Sequence, residues 1–170
     1  TTDDGRNNWQ LVDSLYFVVN KKSQPPKPPS VRYDFNNHNS QGWTAGYDIV
    51  YTEQSQADKD TWMVIANGLN PGVVSPELPP GFTALKTPDL RFSVKIRGNV
   101  RNTDGQIWLM DNNGHWGYQT TFTPVKVDYN YYEYSINLAQ LGDIPIQRFS
   151  IELTQESPYE QWIFDWVELR

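Results

Sequence analysis

Apolar and polar residues alternate along much of this chain with the two-residue period of a β-strand. Two segments do so cleanly. In 90–98, Phe92, Val94 and Ile96 fall on one side, and Arg91, Ser93, Lys95 and Arg97 on the other. In 147–154, Phe149, Ile151 and Leu153 oppose Arg148, Ser150, Glu152 and Thr154. Each therefore has one face for a core and one for solvent or a ligand. Further strands are expected at 31–35, 46–52, 61–66, 106–111, 117–123, 131–137 and 161–169, separated by Gly, Asn, Asp and Pro clusters. No long amphipathic run reads as a helix, although Leu138–Gly142 has room for one helical turn. The pattern predicts an all-β fold, an antiparallel β-sandwich.

The last strand, QWIFDWVELR at 161–170, departs from this pattern. At strand period Ile163, Val167 and Leu169 share one side with Asp165, while Trp162, Phe164 and Trp166 share the other. Two apolar faces imply either a strand covered on both sides or one presenting aromatics to a partner. If Asp165 is buried among its neighbours, it needs a cation or several donors.

Residues 1–30 form an N-terminal extension that ends in a stiff proline-rich linker, SQPPKPPS at 23–30. Within it Leu11–Val19 reads equally as a strand or a short helix. The sandwich domain is expected over 31–170, with 67–89 as a long proline-rich loop.

Composition narrows the function. The chain has 170 residues, enough for one core, and carries 7 Trp and 10 Tyr. Those amphipathic rings exceed what such a core needs, so some are expected at a binding surface. The net charge is −6, with no basic run, which argues against nucleic acid or an anionic membrane as partner. There is no cysteine, and no stretch of transmembrane length. No signal-peptide pattern opens the chain, as for a mature chain or an excised domain. The acidic, cysteine-free composition, rich in Trp, Tyr and Asn, suits a secreted bacterial protein.

A sugar is recognised by an aromatic stacked on the C–H face of its ring, with polar groups around it bonding the hydroxyls. In QIWLMD (106–111), Trp108 alternates with Ile107 and Leu109. If those two face the core, Trp108 stands outward, beside the polar rows of 90–98 and 147–154. Trp108, Arg97 and Glu152, with Lys95, would then form a saccharide cleft. An inward Trp108 is the alternative. Asn113-Gly114 marks a hairpin turn. Trp116 and Tyr118 lie on one side of its return strand, positioned to lean over the cleft, and His115 reads as a solvated turn residue. Tyr129, Tyr131 and Glu133 alternate with Tyr132 and Tyr134, giving one core face and one outer face. Trp43 and Trp62 read as core anchors.

Three landmarks occur in order: YDFNNHNSQGW at 33–43, PGVVSPELPP at 71–80, and FDWVELR at 164–170. Over roughly 31–170 this order resembles the galactose-binding-like jelly-roll carbohydrate-binding modules of secreted glycoside hydrolases, particularly the xylan- and β-glucan-binding groups. The resemblance implies a jelly roll and a structural calcium near the opening turn, held by Asp34, Asn36 and Asp165. Two departures bear on that site: the family's closing acid pair is reduced to Asp165 followed by Trp166, and its opening acid is replaced by Asn36. Backbone carbonyls would have to supply most of the six to eight oxygens calcium takes.

The function expected is non-catalytic binding of a polysaccharide or oligosaccharide, which concentrates a linked catalytic domain on its substrate. Glycosidase action requires two carboxylates about 5–10 Å apart. Glu133 and Glu152 are the pair to test, yet nothing in the sequence singles them out. The alternative is a structural or assembly domain whose outer aromatics pack against a neighbouring protein.

Overall fold

A computed structural model describes residues 26–36, 39–54, 61–98, 102–129, 131–153 and 159–170. The expected element at Leu11–Val19, most of the N-terminal extension and His38 lie outside these residues.

Two antiparallel sheets make up the jelly-roll sandwich. The first contains β1 (Val31–Tyr33), β3 (Ile49–Gln54), β4 (Trp62–Ala66), β6 (Asp89–Arg97), β9 (Pro124–Asp128), β10 (Tyr131–Asn137) and β12 (Gln161–Leu169). They run in the order β3-β4-β12-β6-β10-β9, with β1 paired along the end of β12. The second sheet has the order β2-β5-β11-β7-β8. Its strands are Thr44–Ala45 (β2), Gly72–Val74 (β5), Gly105–Met110 (β7), Trp116–Phe122 (β8) and Arg148–Leu153 (β11). The helical turn expected near Leu138 is a 3-10 turn over Leu138–Leu141, capped by the Asn137 side chain.

The inward-alternating residues meet between the sheets. Phe92 is the centre of one aromatic group. Its ring stacks on Tyr134 with centroids 4.5 Å apart, and Phe122 meets it edge-on at 5.4 Å. Phe35, Trp43, Trp62, Phe149 and Phe164 form another, with Phe35 stacked on Trp62 at 5.7 Å. Trp43 and Trp62 are therefore the core anchors expected.

The proline-rich stretch 67–89 is more structured than expected. It contributes β5 to the second sheet, Leu78 and Phe82 to the core, and a bridge from Thr83 to Pro145. The expected strand 46–52 overlaps β3 alone, which begins at Ile49, and the short β2 precedes it in the other sheet.

The two-faced final strand is explained by a bulge. Phe164 pairs with Val94 and Trp166 with the next residue, Ser93, so Asp165 is inserted into the ladder as an extra residue. The extra residue reverses the alternation. Trp162 and Phe164 before it, and Val167 and Leu169 after it, all join the core. Trp166 lies half-buried outside, with the Arg32 guanidinium 4.7 Å above its ring. Neither of the expected uniform faces exists, because strict period two does not hold across Asp165.

Candidate functional site

The outer face of the second sheet carries a cleft of about 580 Å³. Strand alternation builds it. On β11, Phe149, Ile151 and Leu153 enter the core, which leaves Arg148, Ser150 and Glu152 outward. On β7, Ile107 and Leu109 enter the core, so Gln106, Trp108 and Met110 stand outward. The two strands are neighbours, with Ser150 opposite Trp108 and Glu152 opposite Gln106. Val74 of β5 and the corner of Gly46 and Tyr47 form one wall, and Trp116 of β8 forms the other.

At one end Glu152 Oε2 accepts a hydrogen bond from Trp108 Nε1 at 2.9 Å and a longer one from Gln106 Nε2 at 3.4 Å. The bond fixes the orientation of the indole. Burial pushes the Glu152 carboxyl above its ordinary value, and the Trp108 bond opposes that rise. A half-buried acid with spare acceptor capacity suits a partner rich in hydroxyl donors. At the other end Arg148 lies between Met110, its cross-strand neighbour, and the wall.

Gly72 makes room for this arrangement. A Cβ there would stand 2.9 Å from Glu152 Cγ and 3.3 Å from Ser150 Oγ. Gly72→Ala is expected to displace Glu152 from Trp108 while leaving the fold intact, since the nearest clash is with a movable side chain. The Trp108 indole N–H resonance would shift in a proton–nitrogen NMR spectrum, and an unmoved resonance would refute the packing argument.

The expected cleft residues divide. Trp108, Glu152 and Trp116 come together here. Tyr118 does not. A bulge lets Leu109 pair with Tyr118 and Met110 with Trp116, skipping Gly117. Trp116 consequently turns outward, 38 % exposed, while Tyr118 packs against the core with the His115 ring edge-on to it. Lys95 and Arg97 do not join the cleft either. They belong to β6, in the other sheet, and Lys95 Nζ lies 5.1 Å over the Tyr131 ring. The cation that faces Trp108's sheet is Arg148, which sequence reasoning had placed on an outward face but not in the site. Glu133 and Glu152 also lie on different sheets; Glu133 binds Lys126 Nζ at 3.1 Å on the first. Facing outward from opposite sides of the sandwich, they cannot flank one glycosidic bond.

The first sheet has a smaller outer cleft of about 330 Å³, which includes Ser93, Lys126, Tyr131, Glu133, Asp165 and Trp166. Its charged groups are largely engaged with one another and with its rings, through the Lys126–Glu133 pair and the cations over Tyr131 and Trp166. Of the residues expected near calcium, Asp34 accepts from Arg32 Nε at 2.6 Å, Asn36 is exposed, and Asp165 is the bulge residue of β12. Among the described residues no three His, Cys, Asp or Glu side chains gather as a metal-binding group.

No protein-family model and no curated protein matches the sequence. Solved structures match the fold. A variant of a family 29 carbohydrate-binding module superposes with a TM-score of 0.55 at 12% identity, covering 83% of this chain and 91% of its own. A family 28 module, described as specific for non-crystalline cellulose, gives 0.52 at 14% identity, covering 88% and 94%. The family 22 xylan-binding domain from Paenibacillus barcinonensis Xyn10C gives 0.52 at 10% identity, covering 86% and 97%. This chain thus has the β-sandwich fold that these carbohydrate-binding modules share.

Proposed function

We propose that this chain is a non-catalytic module that binds a polysaccharide along the outer face of its second sheet. One observation carries the reading: half-buried Trp108, held by Glu152, stands in an open cleft among outward polar side chains, with the exposed Trp116 as a second ring. This is the combination of apolar platform and hydrogen-bonding rim that a pyranose chain requires. Its open form suits the interior of a polymer more than a chain end. The fold shared with modules named as binding xylan or cellulose supports the same reading. In a secreted parent protein, the module would hold a linked catalytic domain at its substrate.

Affinity electrophoresis against soluble xylan, mixed-linkage glucan, mannan and algal polymers tests this. Retardation by at least one is expected, with protection of Trp fluorescence from quenching. The same gels run with chelator test the calcium that the family resemblance implies at Asp34, Asn36 and Asp165. Retardation by none would remove the proposal. The assembly reading would then gain from β9, an edge strand whose Val125 and Val127 are 64 % and 60 % exposed.

A further inference from the structure

The cleft is electrically divided. Arg148 and Glu152 both point outward from β11, four residues apart, which is about 13 Å along an extended strand. Glu152 is engaged by Trp108 and Gln106. Arg148 is different: among the described residues its guanidinium has no ion pair or hydrogen bond, although the side chain is half-buried in the cleft. Cations elsewhere on the sheets have partners. Arg32 binds Asp34, Arg91 and Arg170 approach Asp89, and Lys126 binds Glu133. A half-desolvated guanidinium presents a planar fork of donors that matches a carboxylate.

Resting on the reading above, we propose that the ligand is a largely neutral glycan bearing isolated uronate groups, one of whose carboxylates binds Arg148 while the neutral backbone lies across Trp108. The isolation of the charges follows from the rest of the cleft. Among the described residues it offers one cation, and its far end carries Glu152, so a polymer charged on every ring would set carboxylates against that acid. The net charge of −6 on the chain adds to the penalty. A wholly neutral glycan would leave the guanidinium's donors to hydroxyls alone. Uronate substituents at intervals along a neutral chain satisfy both ends.

The test compares glucuronic-acid-substituted xylan with the same polymer after reduction of its carboxyl groups, by titration calorimetry at low and high salt. The native polymer should bind roughly five-fold more tightly than the reduced one, the scale of one partly exposed charge pair. The difference should shrink in high salt. Arg148→Met, which keeps the apolar stem, should bind both polymers alike, and Arg148→Lys should restore part of the preference. Circular dichroism of each variant checks its folding. Equal binding of native and reduced polymer by the unaltered protein would overturn the inference and leave polysaccharide binding standing. Polygalacturonate binding as tightly as the substituted xylan would overturn the isolated-charge requirement. Binding of neither xylan and no retardation by any other polymer would remove the underlying reading, and the inference with it.

Discussion

Replacing Trp108 with alanine is expected to weaken polysaccharide binding by about 5–150-fold, by analogy with the ~1–3 kcal/mol that one aromatic contributes when it stacks on a base. Two effects combine. The platform is lost, and Glu152 loses its closest donor, at 2.9 Å, keeping the longer bond from Gln106. Trp108→Phe separates them, because it keeps an apolar ring while deleting the Nε1 donor. It should fall between the parent and the alanine variant. Thermal stability should change little in either, since the side chain lies on the outer face and does not belong to the core between the sheets. Calorimetric titration with an oligosaccharide of the retarding polymer, beside a melting curve, distinguishes the outcomes. Unchanged affinity in Trp108→Ala would place the sugar elsewhere on the molecule.

The largest effect on stability is expected at Phe92. Its side chain is fully buried, stacked on Tyr134 and met edge-on by Phe122. Truncation to alanine removes the shared partner of both rings and leaves a void between the sheets. A loss of about 3–5 kcal/mol follows, which at about 2–4 °C per kcal/mol for a chain of this size lowers the melting temperature by roughly 6–20 °C. The sign of a packing defect, as opposed to a general loss of hydrophobicity, is that Phe92→Leu should cost much less. Urea denaturation of the three proteins measures this, and equal midpoints for Phe92→Ala and the parent would refute the role assigned to the aromatic group.

What the sequence reveals here, and what it hides, follows from the range of each signal. Alternation within a single strand is local, and it places Arg148, Ser150 and Glu152 on one face without any knowledge of the fold. It finds Trp108 in the same way. Which sheet a strand joins depends on pairing between distant segments, and alternation says nothing about that. For this reason Lys95 and Arg97 read as companions of Trp108 until the topology put β6 in the other sheet. β5 and β9 escaped for different reasons. The first is three residues in a proline-rich stretch, and the second is an exposed edge opening with Pro124, so neither carries a strong apolar period. Bulges break the period outright: strict alternation sets Tyr118 beside Trp116, and the change of parity at Gly117 turns it toward the core.

The bulge residues Asp165 and Gly117 also bear on how this chain is compared with others. Each shifts the in–out phase of its strand by one position, so a gapless alignment against an unbulged strand sets inward residues against outward ones for every position beyond it. Opening a single gap opposite Asp165 puts Trp162, Phe164, Val167 and Leu169 into one uninterrupted phase, and a gap opposite Gly117 sets Trp116 and Tyr118 on opposite faces, as they are in the folded chain. At the 10–14% identity this fold shows to the carbohydrate-binding modules, a strand that carries such a bulge keeps its inward residues in the core only when the extra residue is set aside.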